Sequence, residues 1–212
     1  LSALGVQLLI GYCGQITLGH AAFIAVGAYV CALSILMFHL PYVVSMIIAA
    51  FIAGLWSVLF GLPSAKVKGF YLIMTTMAAQ FITVDFILTQ YVSRIGGRGV
   101  AFSLPPGTIK IGPWVIDNDV EIYYLMVILV TLCTLALANL LRSRVGRAWI
   151  AIRDNDISAE IIGISIFRYK LLSFAISSFY AGFAGGLWAY YTVSITPEPF
   201  TIMLSIEYIA MI

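Results

Sequence analysis

The sequence predicts an all-α, polytopic transmembrane helical bundle, with about five complete spans and partial helices at both ends of its 212 residues. Three observations carry that prediction. Hydrophobic residues make up 62% of the chain and charged residues only 9%, against roughly 25% charged in soluble domains. The apolar residues fall in runs of about 20, the length that crosses about 30 Å of hydrocarbon. Lysines and arginines gather in short connecting stretches, as they do on the cytoplasmic side of membrane proteins. A soluble fold of this length would lack polar side chains for its surface, and a disordered chain is poor in the apolar residues abundant here. The net charge of +2 and the scattered basic residues argue against nucleic-acid binding.

Complete spans are predicted at about 19–39, 41–62, 69–92, 122–141 and 171–191, with partial ones at 1–12 and from about 202 onward. Pro41 opens the second, Gly61-Leu62-Pro63 closes it, and Gly69 opens the third. No repeat or low-complexity tract divides the chain, so 1–212 is taken as a single membrane domain. It starts at Leu1 without a Met and stops at Ile212 inside an apolar stretch, so both ends are expected to cut through helices of a longer protein. Cys13, Cys31 and Cys133 lie in apolar segments without metal-ligand spacing and are expected to be small buried hydrophobes.

Orientation follows from the basic residues. The 142–170 loop holds Arg142, Arg144, Arg147, Arg153, Arg168 and Lys170, and the loop before the third complete span holds Lys66 and Lys68. Two crossings separate these loops, so both can be cytoplasmic. The 93–121 segment then faces outside, its Arg94, Arg98 and Lys110 offset by Asp117, Asp119 and Glu121.

Three places depart from plain lipid-facing helix. In Gly11-Tyr12-Cys13-Gly14-Gln15-Ile16-Thr17-Leu18-Gly19-His20, three glycines and the polar Gln15, Thr17 and His20 interrupt an apolar run. Two readings stand: a short interfacial turn with His20 as a capping residue, or a broken helix of the kind that builds transporter substrate sites. In the 142–170 loop, residues 148–163 are expected to form one short amphipathic helix ended by Gly163. Ile150, Ile157 and Ile161 would share one face, and Arg153, Asp156 and Glu160 another. Such a helix suits docking to a soluble partner. The alternative, lying on the membrane surface, is weakened by Asp154, Asp156 and Glu160, since surface helices favour a basic polar face. The third place is small-residue packing, with Gly27 beside Ala28 and a G-x-x-x-G from Gly182 to Gly186. Within the 69–92 span, Gln80 is a candidate cavity-facing hydrogen bonder, and Asp85 falls towards its outer end, where it either serves function or reaches water.

The chain carries no G-x-x-x-x-G-K-[ST] phosphate loop, H-E-x-x-H or G-x-S-x-G, so ATP hydrolysis and membrane hydrolase chemistry have no residues here. Intramembrane charges are too few for a proton relay or voltage sensor. The profile fits movement of a small polar or zwitterionic solute powered by something else.

The run Gly11 to Phe23, followed by Gly27-Ala28-Tyr29, resembles the G-Y-x-G-Q-x-S-L-G-H-A-A-F…G-A-Y signature of LivM-type permeases. These are membrane subunits of bacterial ABC importers for branched-chain amino acids. Ordered matches continue through Gly61-Leu62-Pro63 and Gly69-Phe70-Tyr71-Leu72, then Arg142 to Ala148, Ala151 to Asp156, Ala159 to Ile164 and Arg168-Tyr169-Lys170. Pro197-Glu198-Pro199-Phe200 and Ser205-Ile206-Glu207-Tyr208 complete a resemblance covering nearly the whole chain.

The resemblance implies that the 148–163 helix is the coupling helix docking in a groove of a cytoplasmic ATPase. Glu160 and Gly163 are its marker positions, and Arg147, Arg153, Asp154 and Asp156 accompany them. It implies that the Gly11–His20 break, with Gln15, Thr17 and His20, lies close to the substrate pathway, where Gln80 joins them as the candidate cavity-facing hydrogen bonder. It also implies the partners: a second, LivH-type permease, two ATP-binding subunits, and a periplasmic or lipid-anchored binding protein, in the bacterial cytoplasmic (inner) membrane. No cofactor or metal is expected on this chain, with ATP and Mg used by the partner subunits; it is not an enzyme by itself. The sequence departs from the family where a Gly-Glu and an Arg three residues later are usual, with Ala79, Gln80 and Thr83 in those places. The family's T-G-G-x-x-G-L outer-loop motif is reduced to Ile95-Gly96-Gly97-Arg98-Gly99-Val100. Alternatives are a urea or short-chain amide permease of the same machinery and, from another class, a self-contained channel or secondary transporter.

Overall fold

The computed structural model describes residues 1–64, 69–85, 102–103, 109–111, 114–116, 119–192 and 194–212. Among these the helices are α1 (Ser2–Gln7), α2 (His20–Phe38), α3 (Tyr42–Ser64), α4 (Phe70–Phe81), α5 (Asp119–Arg142), α6 (Arg144–Asp154), α7 (Asp156–Ile161), α8 (Ile166–Thr192) and α9 (Ile202–Ala210). The strands are β1 (Phe102–Ser103), β2 (Ile109–Ile111), β3 (Trp114–Ile116) and β4 (Ser194–Ile195). Four helices, α2, α3, α5 and α8, are long and apolar enough to cross a membrane. They match the predicted 19–39, 41–62, 122–141 and 171–191 spans, although α8 begins earlier, at Ile166.

The predicted 69–92 span opens as α4 and widens into a π-helical turn over 82–85. Residues 86–92 lie outside the described residues, as do Lys66, Lys68, Arg94, Arg98, Asp117 and the 95–100 motif. Strands β1 to β4 form two small antiparallel ladders in an otherwise helical fold. Phe102 pairs with Ile195, and β2 pairs with β3 with Ile109 opposite Ile116. Strands of two or three residues are too short for alternating hydropathy to announce them.

The core is a three-helix packing of α2, α3 and α8. Helix α2 is apolar on every side and buried from His20 through Tyr29, as expected of a central helix. The small residues of α8 are what let its neighbours approach. A Cβ on Gly182 would sit 2.5 Å from that of Ala53 on α3, and a Cβ on Gly27 of α2 would run into the Gly182 backbone itself. Gly186 faces Met46 of α3, where an added Cβ would lie 2.8 Å from Cγ. The Tyr42 hydroxyl donates to the Gly186 carbonyl. This is the close helix approach that small-xxx-small spacing permits. Ser57 adds a polar stitch between α3 and α8, donating to Gly54 O at 2.7 Å with Phe174 O at 3.3 Å. Helix α5 lies on the edge of this core, with Leu137 buried and Cys133 O accepting from the Tyr180 hydroxyl at 2.9 Å, while Val120, Tyr123, Ile128 and Leu132 are more than half exposed.

Overpacking at the seam sets the first expectation. Gly182→Val is expected to destabilise by about 3 kcal/mol and to lower the thermal unfolding midpoint in detergent. Leu132→Ala, on the exposed face of α5, should stay within about 0.5 kcal/mol of the parent protein.

Candidate functional site

The glycine-rich interruption buries its polar side chains and leaves Gly14 and Ile16 exposed. After α1 the chain loosens into a π-helical turn, Leu8–Tyr12. The Cys13 N–H donates to Leu8 O at 3.2 Å and the Gln15 N–H to Leu9 O at 2.9 Å. Gly14 then takes φ +69°, a conformation open to glycine and costly for other residues. The chain runs non-helically to Gly19, and α2 starts at His20. Gly19 lies so close to α4 that a Cβ would be 2.7 Å from Thr76 O. Gln15, Thr17 and His20 are all buried, the condition under which irregular backbone survives in an apolar setting.

The start of α2 has no side-chain cap of its own, and its first N–H groups need acceptors. Distant side chains supply them. The Ala21 N–H donates to Ser205 Oγ on α9 at 2.9 Å, and the Ala22 N–H to Gln80 Oε1 on α4 at 2.6 Å. Just upstream, the Leu18 N–H donates to Thr76 Oγ1 at 3.2 Å, while Thr17 Oγ1 accepts from the Gly19 N–H at 3.3 Å. Gln80 uses its other end as well, its Nε2 donating to Phe200 O at 2.8 Å. Gln80 therefore ties α2, α4 and the segment before α9 together. Thr83, at another of the positions that depart from the family pattern, accepts from Trp56 Nε1 at 3.2 Å.

Thr17, His20 and Gln80 thus gather around the start of α2, while Gln15 meets α8, where Ser173 Oγ is 3.3 Å from its Oε1. His20 packs edge-on to Tyr208 with ring centroids 6.2 Å apart. Among the described residues, neither of its ring nitrogens nor the nearby buried Ser2 Oγ has a hydrogen-bond partner. Gln80 also borders a cavity of about 460 Å³ with Val84, Asp85, Glu198 and Phe200 in its walls; Asp85 is exposed. Ser173 and Ser205 escape sequence analysis, because a lone serine in an apolar helix carries no signal of what its hydroxyl meets.

The expected single helix over 148–163 is two helices. Helix α6 starts at Arg144, with Ser143 Oγ accepting from the Val145 N–H at 3.2 Å. The chain turns so tightly there that a Cβ on Gly146 would run into Leu141 O. Asn155 ends α6 in an extended conformation and begins α7, its Oδ1 accepting from Ile157 N–H at 3.0 Å and Ser158 N–H at 3.1 Å. Asparagine followed by Asp156 is a strong helix-start signal, and that local competition overrides the continuous periodicity. The break resets the helical phase, so Ile150 does not continue the Ile157 and Ile161 face.

Helix α7 ends at Gly163 with φ +88°. The Gly163 N–H donates to Glu160 O at 2.9 Å and the Ile164 N–H to Ala159 O at 3.0 Å, the paired bonds of a Schellman cap. Arg147, Asp154, Glu160 and Gly163 are exposed. Asp156 instead pairs with Lys170 at 3.2 Å, holding α7 to α8. Arg153 is exposed as well, but its Nη1 donates to Gly11 O in the break. Buried Trp149 fixes α6 to the start of α8, its Nε1 donating to Tyr169 O at 2.9 Å.

The sequence profile described as "Branched-chain amino acid transport system / permease component" matches residues 1–212, the entire chain. The chain belongs to this permease family. It is 30% identical to the "High-affinity branched-chain amino acid transport system permease protein LivM" of Escherichia coli K12, across 99% of this chain and 54% of that protein. The Salmonella typhimurium protein of the same name is 29% identical over the same shares. A "Probable branched-chain amino acid transport permease protein LivM" of Methanocaldococcus jannaschii is 28% identical over 75% of this chain and 45% of its own. The chain spans about half the length of the curated permeases it matches. No solved structure matches it.

The caps borrowed from afar give the second expectation. Ser205→Ala leaves the Ala21 N–H without an acceptor and is expected to cost about 1–2 kcal/mol. Hydrogen exchange should quicken at 20–23 and remain unchanged in the middle of α8.

Proposed function

We propose that the chain is the membrane-spanning permease subunit of an ATP-driven importer in the bacterial cytoplasmic membrane. It moves branched-chain or related hydrophobic amino acids by alternating access, together with a LivH-type permease and two ATP-binding subunits that use ATP and Mg. A periplasmic or lipid-anchored binding protein delivers the solute. Family membership and the names of the permeases it resembles support this reading.

The observation that carries it is the tip of α7. Ile157, Ile161 and Ile162 are 70%, 81% and 77% exposed there, on a short helix fixed at one end by Asn155 and at the other by Gly163. Apolar side chains that prominent on a rigid, capped helix suit insertion into a groove of a soluble partner. The exposed Arg147, Asp154 and Glu160 supply the polar rim. Asp156 supports the tip through Lys170 rather than facing outward. Thr17, His20 and Gln80 border the pathway at the start of α2. ATP-dependent clamping of the ATPases moves the α6–α7 pair and shifts the bundle between two packings.

Purification of the full-length protein from its native membrane should recover a second permease and P-loop ATPases. Proteoliposomes holding that assembly should take up leucine with its binding protein, and not urea. Gly163→Pro removes the N–H that bonds Glu160 O and demands a φ that proline cannot adopt. It is expected to reduce ATPase recovery to background while the permease still inserts. Full recovery of the ATPases with that variant would remove α7 from the docking surface.

A further inference from the structure

Arg153 lies on the same helix pair as the docking tip, and although the residue is exposed its guanidinium is engaged within the chain. Nη1 donates to the carbonyl of Gly11, at the end of the π-helical turn. Its aliphatic stem covers Gly14, where an added Cβ would lie 3.3 Å from Arg153 Cγ and 3.7 Å from its Cα and Cβ. Gly14, at φ +69°, both turns the break and leaves the space that the arginine fills.

A second polar line joins the same two regions. Asp156 at the start of α7 pairs with Lys170 at 3.2 Å. The Lys170 carbonyl accepts from Ser173 Oγ at 2.7 Å, and that oxygen lies 3.3 Å from Gln15 Oε1 and 3.4 Å from Cys13 Sγ. Both lines start in the α6–α7 pair and end in residues 11–15. Trp149, buried between them and bonded to Tyr169 O, keeps α6 from sliding independently.

We propose that Arg153 is a positioning residue that transmits movement of the α6–α7 pair to the broken helix, holding Gly11 and Gly14 so that α6 and the break move as one body. The proposal rests on the importer reading above, and it moves Arg153 from the ATPase surface to the linkage behind it. An arginine suits the task because its donors are fixed in a planar fork, which can hold the Gly11 carbonyl at an exposed position. The exposed tip of α7 takes up the partner's movement; Arg153 delivers it to Gly11 and Gly14, and the Lys170–Ser173 line of α8 delivers it to Gln15.

The test uses the full-length protein in its assembled importer, reconstituted with its binding protein. Leucine uptake and ATP hydrolysis are measured together for the parent protein, R153Q and R153K. R153Q should keep its ATPases and hydrolyse ATP, but move at least about tenfold less leucine per ATP, the scale of one lost charge-assisted bond. R153K, which keeps a cationic donor for Gly11 O, should recover part of that ratio. An unchanged leucine-to-ATP ratio in R153Q overturns the proposal, and so does loss of the ATPases, which would make Arg153 a docking residue. If R153Q does not accumulate, the parent protein decides. Hydrogen exchange at 8–19 should change together with 144–161 between nucleotide-free and ATP-trapped states. A change at 144–161 alone overturns the linkage. Failure of the parent protein to bring down any ATPase defeats the importer reading instead.

Discussion

The contact on which the rest of the structure depends is the backbone approach of α2 and α8 at Gly27 and Gly182. In an apolar solvent, helices gain little from hiding hydrocarbon, so association relies on close packing and on hydrogen bonds between helices. The small-residue face of α8 brings α2 and α3 near enough for both. The same closeness carries α1 alongside, with Ser177 Oγ donating to the Gly5 carbonyl at 2.7 Å. Without the seam, the side chains that complete the break would stand too far from the groups they satisfy.

The break is the second organising feature, and it is held from several directions. Leaving helical geometry frees donors and acceptors that an apolar interior cannot solvate. Thr76 and Gln80 of α4, Ser205 of α9, Ser173 of α8 and Arg153 of α6 all converge on residues 11–22 or their immediate neighbours. Each contributes a modest amount alone, since a single internal hydrogen bond is worth about 1 kcal/mol net. Together they specify one geometry for a stretch that has none of its own.

Much of this was legible in the residues. Runs of about 20 apolar residues locate membrane helices because backbone satisfaction forces the helical solution, and α2, α3, α5 and α8 follow them. The G-x-x-x-G at Gly182 and Gly186 pointed to the seam for the same physical reason that creates it. Burial of Gln15, Thr17, His20 and Gln80 was within reach, since polar groups in apolar runs need partners; which partners they meet was not. Gln80 meeting Ala22 and Phe200 is a long-range fact without a local sequence signature. The division at Asn155 is different, because its capping signal was present and was outweighed by an isoleucine periodicity that ran across it.

The cap on Ala21 comes from Ser205, 184 residues further along the chain. At a synthesis rate of about 5–20 residues per second, roughly 10–40 s pass between the two leaving the ribosome. Throughout that interval α2 exists without the acceptor that completes its first turn. The break therefore reaches its final form only after α9 has been made and has come back to the helix inserted near the start. Assembly order is thereby written into the site: the first turn of α2 is finished by a helix made well after it.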